Sequence, residues 1–328
     1  MEQKKKVVVT HPIPEDGLSA LYEKYEVFYP RNRAPYTPDE LKRLMADCEA
    51  VLACGPMPRA LIEAAPKLRI ISNFGAGYDR VDVDAADERG VLVTNIPDST
   101  TESTAELAFA LLISVYRRIA ELDAGLRAGA PEDSFGMGKN MSHNLAGATL
   151  GIVGMGRIGR RLADMARAFG MNILYHNRRR LDEALEHGAR FCTLDELLAL
   201  SDAVSVNCPL TPETQGLIGA HEIARMKNGA VVINTSRGGT IDYEALIDAL
   251  EAKRLGGAGL DVFPDEPHVP ARLLALRSVV LTPHVGTNTH EARKAMAEAA
   301  SLRIIDALEG RTPKNIVNRN LRARAQVR

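Results

Sequence analysis

The chain has 328 residues, of which 45% are hydrophobic and 25% charged, and its formal net charge is −1. That length suits two domains of ordinary size, and the composition excludes a fibrous, low-complexity or disordered chain. The near-neutral balance argues against nucleic acid or a membrane surface as the main partner.

The opening stretch, MEQKKKVVVTHPIPEDG, begins basic but has only three valines before a Pro-rich turn. It reads as a solvated lead-in to a strand rather than a signal peptide. No uninterrupted apolar run is long enough to span a bilayer. Cys48, Cys54, Cys192 and Cys208 show neither a C-x-x-C pair nor metal-ligand spacing. Reduced thiols, a cytoplasmic location and no bound metal are therefore expected.

Short β-branched runs alternate with longer helix-patterned stretches along the chain. The first strand candidates are Val7–Thr10, Glu26–Tyr29, Ala50–Ala53, Ile70–Asn73 and Leu92–Asn95, with helix candidates Glu15–Tyr25 and Thr37–Asp47 among them. The apolar spacing of Thr101–Leu126 predicts one long helix, and Gly129–Ala146 reads as an irregular excursion. A second strand set follows at Thr149–Val153, Asn172–His176, Ala203–Asn207, Ala230–Asn234, Gly257–Leu260 and Val279–Leu281. A last helix, Thr289–Glu309, precedes the basic tail NRNLRARAQVR. Strand–helix alternation of this kind predicts α/β architecture with two doubly wound parallel-sheet, Rossmann-like domains. The expected division is 1–100 plus 286–328 for substrate binding and 101–285 for dinucleotide binding, the second inserted in the first.

Gly154, Gly156 and Gly159 form G-x-G-x-x-G between an apolar strand run and a helix run. In that context the glycines let backbone approach a pyrophosphate, which sits at the helix N-terminus. In an NAD site the next strand ends on a carboxylate that holds the ribose 2′-hydroxyl. Here Asn177 stands there, followed by Arg178, Arg179 and Arg180. Guanidinium groups bind a 2′-phosphate that a carboxylate would repel, so NADP(H) is the preferred cofactor expected. Asn177 still bonds a hydroxyl, which leaves room for NAD(H).

Three further segments end strands of the same sheet, where ligands of open α/β folds bind. VVINTSRGGTID carries Thr235 and Arg237, GLDVFPDEP carries Asp261 and Glu266, and VVLTPHVG carries His284. Reducing a 2-oxo acid needs a cation for the carboxylate, a proton for the oxygen and a hydride. Arg237 suits the first need and His284 the second, with Glu266 beside it to keep the ring protonated near neutral pH. His143, His176, His187 and His268 are read as structural or surface residues.

SRGGTIDYEAL, GLDVFPDEP and LTPHVGTNTHEAR, together with LGIVGMGRIGRRLA, resemble the D-isomer-specific 2-hydroxyacid dehydrogenase family. NFGAGYDRVDVDAADERGVLVTNIP and TAELAFALL extend the resemblance over nearly the whole chain. It is most similar to the family's glyoxylate/hydroxypyruvate reductases, in length, in the Asn-Arg cofactor end and in DEPHVPARLLAL. The resemblance implies an oxidoreductase with catalytic Arg237, Glu266 and His284. It implies a carboxylate pocket from the Ala76 and Gly77 amides and the Val51–Pro56 loop. Cofactor contacts are implied at Thr104, Arg157, Ile158, Cys208, Thr235, Asp261, His284 and Gly286, and assembly as a homodimer. The family commonly carries a Trp in an R-x-G-x-W stretch, whereas this chain has Arg127-Ala128-Gly129-Ala130-Pro131 and no Trp, a departure that bears on the dimer arm. A reductase of a bulkier 2-oxo acid and a non-catalytic dinucleotide sensor are the competing readings.

Overall fold

The computed structural model describes residues 4–32, 34–129 and 134–321. Ala130, Pro131 and the end of the basic tail lie outside the described residues. The chain divides into two compact units, one of residues up to Thr100 together with those from Thr287 onward, the other Thr101–Gly286.

Among the described residues, the first unit holds a five-stranded parallel sheet of β1 Lys6–Val9, β2 Glu26–Phe28, β3 Ala50–Ala53, β4 Ile70–Asn73 and β5 Leu92–Thr94, in the order β2-β1-β3-β4-β5. Val7 pairs with Val27 on one side and Ala50 on the other, so the order reverses at β1. Successive side chains face opposite ways. Val7, Val9, Leu52 and Ile70 therefore pack with Leu18 and Leu21, while Val8, Val51, Ile71 and Val93 pack with Leu41 and Met45. The final helix, His290–Leu308, buries Met296, Ala300 and Ile304 in the first of these layers. Ser72 Oγ donates to Ala300 O at 3.0 Å, which ties the helix to β4.

The second unit has a seven-stranded parallel sheet among the described residues: β6 Thr149–Val153, β7 Asn172–His176, β8 Arg190–Phe191, β9 Ala203–Val206, β10 Val231–Asn234, β11 Gly257–Leu260 and β12 Val279–Leu281. The order β12-β11-β10-β9-β6-β7-β8 places β6 between β7 and β9, so this sheet also reverses once. In open α/β sheets the crevice beyond that reversal, at the carboxyl ends of the strands, is where ligands bind. Strand β8 is a two-residue edge pairing that alternation of apolar residues does not reveal.

The predicted single helix over Thr101–Leu126 is instead two, Thr101–Tyr116 and Ile119–Arg127. Between them Arg118 adopts φ 57°, a left-handed conformation rare outside glycine. Its guanidinium forks onto Glu121, Nε to Oε2 at 2.8 Å and Nη2 to Oε1 at 2.8 Å, which stabilises the bend. The apolar periodicity runs through the break, so sequence alone shows no interruption.

Candidate active site

Strand β6 runs into Gly154, whose φ is +95° and whose missing side chain makes room for a neighbour. A Cβ there would stand 2.6 Å from Cys208 N, in the loop leaving β9. Only glycine satisfies both constraints. Gly156 caps the helix Arg157–Ala168 and faces open space, and Gly159 brings the first turn of that helix against Gly154 O. The amides of Arg157, Ile158 and Gly159 are first-turn donors of that helix, which favours an anion there. Cys208 is buried, and burial pushes its thiol up to about 11, so it stays neutral.

Asn177 follows β7, and its Oδ1 accepts the Met155 N–H at 2.7 Å. The backbone donor fixes the amide orientation, so the Nδ2 group is left as the side chain's donor. Arg178 and Arg179 are exposed. Arg180 is engaged in the fold: its Nε and Nη2 bond Glu186 Oε1 and Oε2 at 2.8 and 3.0 Å. Tyr175 OH donates to the same Glu186 Oε1 at 2.5 Å. The Arg180 guanidinium and the Tyr175 hydroxyl hold the Glu186 carboxyl down to about 2.

Asp261 ends β11 and is almost wholly buried. Its Oδ1 accepts Thr282 Oγ1 at 2.6 Å and Val285 N at 2.8 Å, and its Oδ2 accepts Gly286 N at 2.9 Å. Thr104 Oγ1 donates to Gly286 O at 3.3 Å from the other side. This carboxylate thus shapes the loop after β12, in which His284 takes φ +52°. A non-glycine residue in that region carries strain that the surrounding bonds must offset. His284 Nδ1 lies 2.8 Å from Glu266 Oε2, and Glu266 Oε1 accepts Phe263 N–H at 3.1 Å. Both carboxylate oxygens are therefore engaged, and the imidazole Nε2 is left pointing away from its partner.

Arg237 leaves β10 on a turn braced by Asn234. Asn234 Oδ1 accepts Ser236 N at 3.0 Å and Ser236 Oγ at 2.8 Å, while its Nδ2 donates to Arg237 O at 3.1 Å. Thr240 Oγ1 donates to the same carbonyl at 2.7 Å. The guanidinium is half-buried, with Nη1 donating to Ser236 O at 2.9 Å. Next to it, Gly238 lies against the loop that carries Glu266, and a Cβ there would stand 2.1 Å from the Phe263 carbonyl carbon. Tyr243 OH donates to Val262 O in the same loop. Asn234, Gly238 and Tyr243 thus lock the Arg237 turn to the Glu266 loop. Sequence reasoning passed over all three, although a buried polar residue ending an apolar strand was a usable signal for Asn234.

The carboxyl edge of this sheet also holds two buried side-chain oxygens without a partner among the described residues, Asn207 Oδ1 and Thr235 Oγ1. Unpaired buried polar atoms are costly and are normally satisfied. With the glycine loop and the first-turn amides, they fit a polar ligand laid along this edge. Ala76 and Gly77 belong to the first unit, in the loop leaving β4. His268 is a strongly exposed loop residue, 3.8 Å from Asp265, in agreement with its surface reading.

Residues 109–286 match the family described as D-isomer specific 2-hydroxyacid dehydrogenase, NAD binding domain. A glyoxylate reductase of Thermococcus litoralis is 44% identical over 324 residues, 97% of this chain and 98% of that protein. The chain belongs to the D-isomer-specific 2-hydroxyacid dehydrogenase family. This dehydrogenase is also 42% identical over 322 residues to glyoxylate/hydroxypyruvate reductase B of Escherichia coli, covering 96% of this chain and 98% of that one. Its fold matches the NADPH-dependent glyoxylate/hydroxypyruvate reductase of Sinorhizobium meliloti, solved in complex with NADP and malonate. That likeness has TM-score 0.85 and 32% identity, over 96% of this chain and 97% of the other. Two parallel-sheet α/β units, a dinucleotide-binding unit and membership of an oxidoreductase family thus stand together. Among the described residues no helix is long and apolar enough to cross a membrane.

Proposed function

We propose that this dehydrogenase reduces small 2-oxo acids, glyoxylate and hydroxypyruvate first, to 2-hydroxy acids of the D series, with NADPH preferred and NADH accepted. The observation that carries this reading is the His284–Glu266 pair, held by Asp261 on the sheet edge that also presents Arg237. NADPH, when bound, supplies the hydride that reaches the substrate's C2. Gly154, Gly156, Arg157, Ile158 and Gly159 would hold its pyrophosphate end, and Thr104, Cys208, Thr235, Asp261 and Gly286 its nicotinamide end. Arg237 binds the substrate carboxylate through charge-assisted hydrogen bonds. In the first unit, the amides of Ala76 and Gly77 are proposed donors to a substrate carboxylate. His284 gives its Nε2 proton to the C2 oxygen, which becomes the hydroxyl. Glu266 accepts the Nδ1–H throughout, and so fixes which nitrogen gives up the proton.

Cofactor choice rests on the end of β7. Asn177 offers a donor where a carboxylate would offer an acceptor, and Arg178 and Arg179 are exposed beside it. A 2′-phosphate needs donors and positive charge, which this set supplies. Arg180 is less available for that role, because its Nε and Nη2 already bond Glu186.

The homodimer reading is supported by apolar side chains left exposed on and after the helix Ile119–Arg127, namely Ile119, Leu126, Phe135, Met137 and Met141. A cytoplasmic location is supported by four free cysteines. The decisive experiment is oxidation of NADPH and NADH by purified protein across a panel of 2-oxo acids. Turnover of glyoxylate with lower KM for NADPH is expected. Tight NADPH binding without turnover of any 2-oxo acid would overturn the assignment in favour of a dinucleotide sensor.

A further inference from the structure

The loop leaving β4 carries the amides assigned above to the substrate carboxylate, and the carbonyls of Gly75, Ala76 and Gly77 are already taken. Gly75 O accepts Ile96 N at 3.1 Å and Asn73 Nδ2 at 3.1 Å. Ala76 O accepts Asn95 Nδ2 at 2.7 Å, and Gly77 O accepts Asn73 Nδ2 at 2.8 Å. Each side-chain contact is to a carbonyl, so the atom facing it must be the amide nitrogen. The N–H groups of Ala76 and Gly77 donate to no acceptor among the described residues.

The two facts are linked by the planarity of the peptide. In a trans peptide the C=O and the following N–H point in opposite directions from one rigid plane. The Gly75 carbonyl shares its plane with the Ala76 N–H, and the Ala76 carbonyl shares its plane with the Gly77 N–H. Holding the first carbonyl back thus sends the Ala76 amide outward, and holding the second does the same for Gly77. Asn73 controls one plane and Asn95 the other. Asn73 is itself buried at the end of β4, where the Phe74 N–H bonds Ala53 O at 2.8 Å and fixes the start of the loop.

We propose that Asn73 and Asn95 are positioning residues for substrate binding, which act by turning the Ala76 and Gly77 amides outward as a pre-set pair of donors for the carboxylate of a 2-oxo acid. The inference rests on the reading of the protein as a 2-oxo acid reductase. Pre-setting matters because a flexible loop would have to be ordered at the moment of binding, at the expense of affinity. The carboxylate is present in the ground state and in the transition state alike. Its seat therefore contributes uniform binding, which appears in KM rather than kcat.

The test uses the full-length protein and its variants Asn73→Ala, Asn73→Asp and Asn95→Ala. Four quantities are read: KM for glyoxylate, kcat, Ki for oxamate at saturating NADPH, and the Kd of NADPH by fluorescence. Oxamate carries the same carboxylate but is not reduced. We expect KM and the oxamate Ki to rise together in each variant, by about threefold to tenfold, the scale of roughly one hydrogen bond. The expected kcat stays within about twofold of the parent, with NADPH affinity unchanged. Asn73→Asp keeps the shape but faces two carbonyls with a carboxylate, so it should be at least as weak as Asn73→Ala. Unchanged KM and Ki would overturn the proposal. So would a fall in kcat together with NADPH affinity and melting temperature, which marks a bracket needed only for folding. Should Asn73→Ala not fold, Asn95→Ala decides alone. A parent enzyme that turns over no 2-oxo acid removes the functional reading itself, and the inference falls with it.

Discussion

His284 Nδ1 stands 2.8 Å from Glu266 Oε2, and the other oxygen of that carboxylate is tied to the Phe263 amide at 3.1 Å. The imidazole is thus oriented by a carboxylate that is itself oriented by backbone. Removing the ring in His284→Ala should lower kcat for glyoxylate by about 10²–10⁴-fold, the usual contribution of a positioned general acid. Steady-state assays with NADPH are the measurement, and an undiminished kcat would remove His284 from the reaction.

Asp261 holds the loop that presents this histidine through three hydrogen bonds, from Thr282, Val285 and Gly286. In Asp261→Asn the new amide hydrogens would face the Gly286 or Val285 N–H, donor against donor. Leaving one such donor unsatisfied costs about 1–3 kcal/mol. Urea unfolding should show a loss of that size, accompanied by a lower kcat. Full stability together with full activity would mean that the Thr282–Gly286 loop keeps its shape without the carboxylate.

Replacing both Arg178 and Arg179 by Ala should raise KM for NADPH at least tenfold while changing KM for NADH little, since each well-desolvated charge-assisted contact is worth about 1.5–3 kcal/mol and less at an exposed rim. Parallel titrations with the two cofactors check this. Equal effects on both would move the 2′-phosphate seat elsewhere. In contrast, Arg180→Ala should leave the ratio of the two KM values unaltered, because that guanidinium is bound to Glu186.

The Arg180–Glu186 pair also predicts how stability responds to acid. Glu186 titrates at about 2 in the folded protein against an ordinary 4.5, because Arg180 and Tyr175 bond its charged form. A carboxyl depressed on folding stabilises fully above its unfolded pKa and loses that contribution as pH falls through the folded one. Glu186→Gln should therefore melt lower than the parent at pH 7, and the two melting temperatures should converge as the pH drops from 4.5 toward 2. A constant difference across that window would show that burial and packing, rather than charge, account for the effect.

Much of this architecture was legible in the chain, for identifiable reasons. Both sheets are parallel and covered on both faces, so a strand such as Ala50–Ala53 is a continuous apolar run that announces itself. Arg237, Glu266 and His284 stand out as candidates because each lies beyond the carboxyl end of a strand, where open α/β sheets bind ligands. The break at Arg118 was hidden, because a left-handed turn was taken by an arginine instead of a glycine. Also hidden was the bracing of the site. The bond from Tyr243 to Val262 joins residues 19 apart, and the close approach of Gly238 to Phe263 is a matter of tertiary packing. Local pattern reports periodicity and punctuation, whereas such contacts appear only once the strands are side by side. The same limit applied to the arginine run: which of its members serves the fold depended on Glu186, further along the chain.

That division of labour within Arg178-Arg179-Arg180 has an evolutionary consequence. All three arginines are exposed, but the last is tied to a buried glutamate that a tyrosine also bonds, whereas its two predecessors have no such anchor among the described residues. Substitutions at those two positions are nearly neutral for folding, as surface changes usually are. If Arg178 and Arg179 set the preference between dinucleotides, as proposed, that preference is free to drift, or to be redesigned, without compensating changes elsewhere. A lineage could pass from one reductant pool to the other by two replacements while the scaffold, anchored one residue later, stays the same.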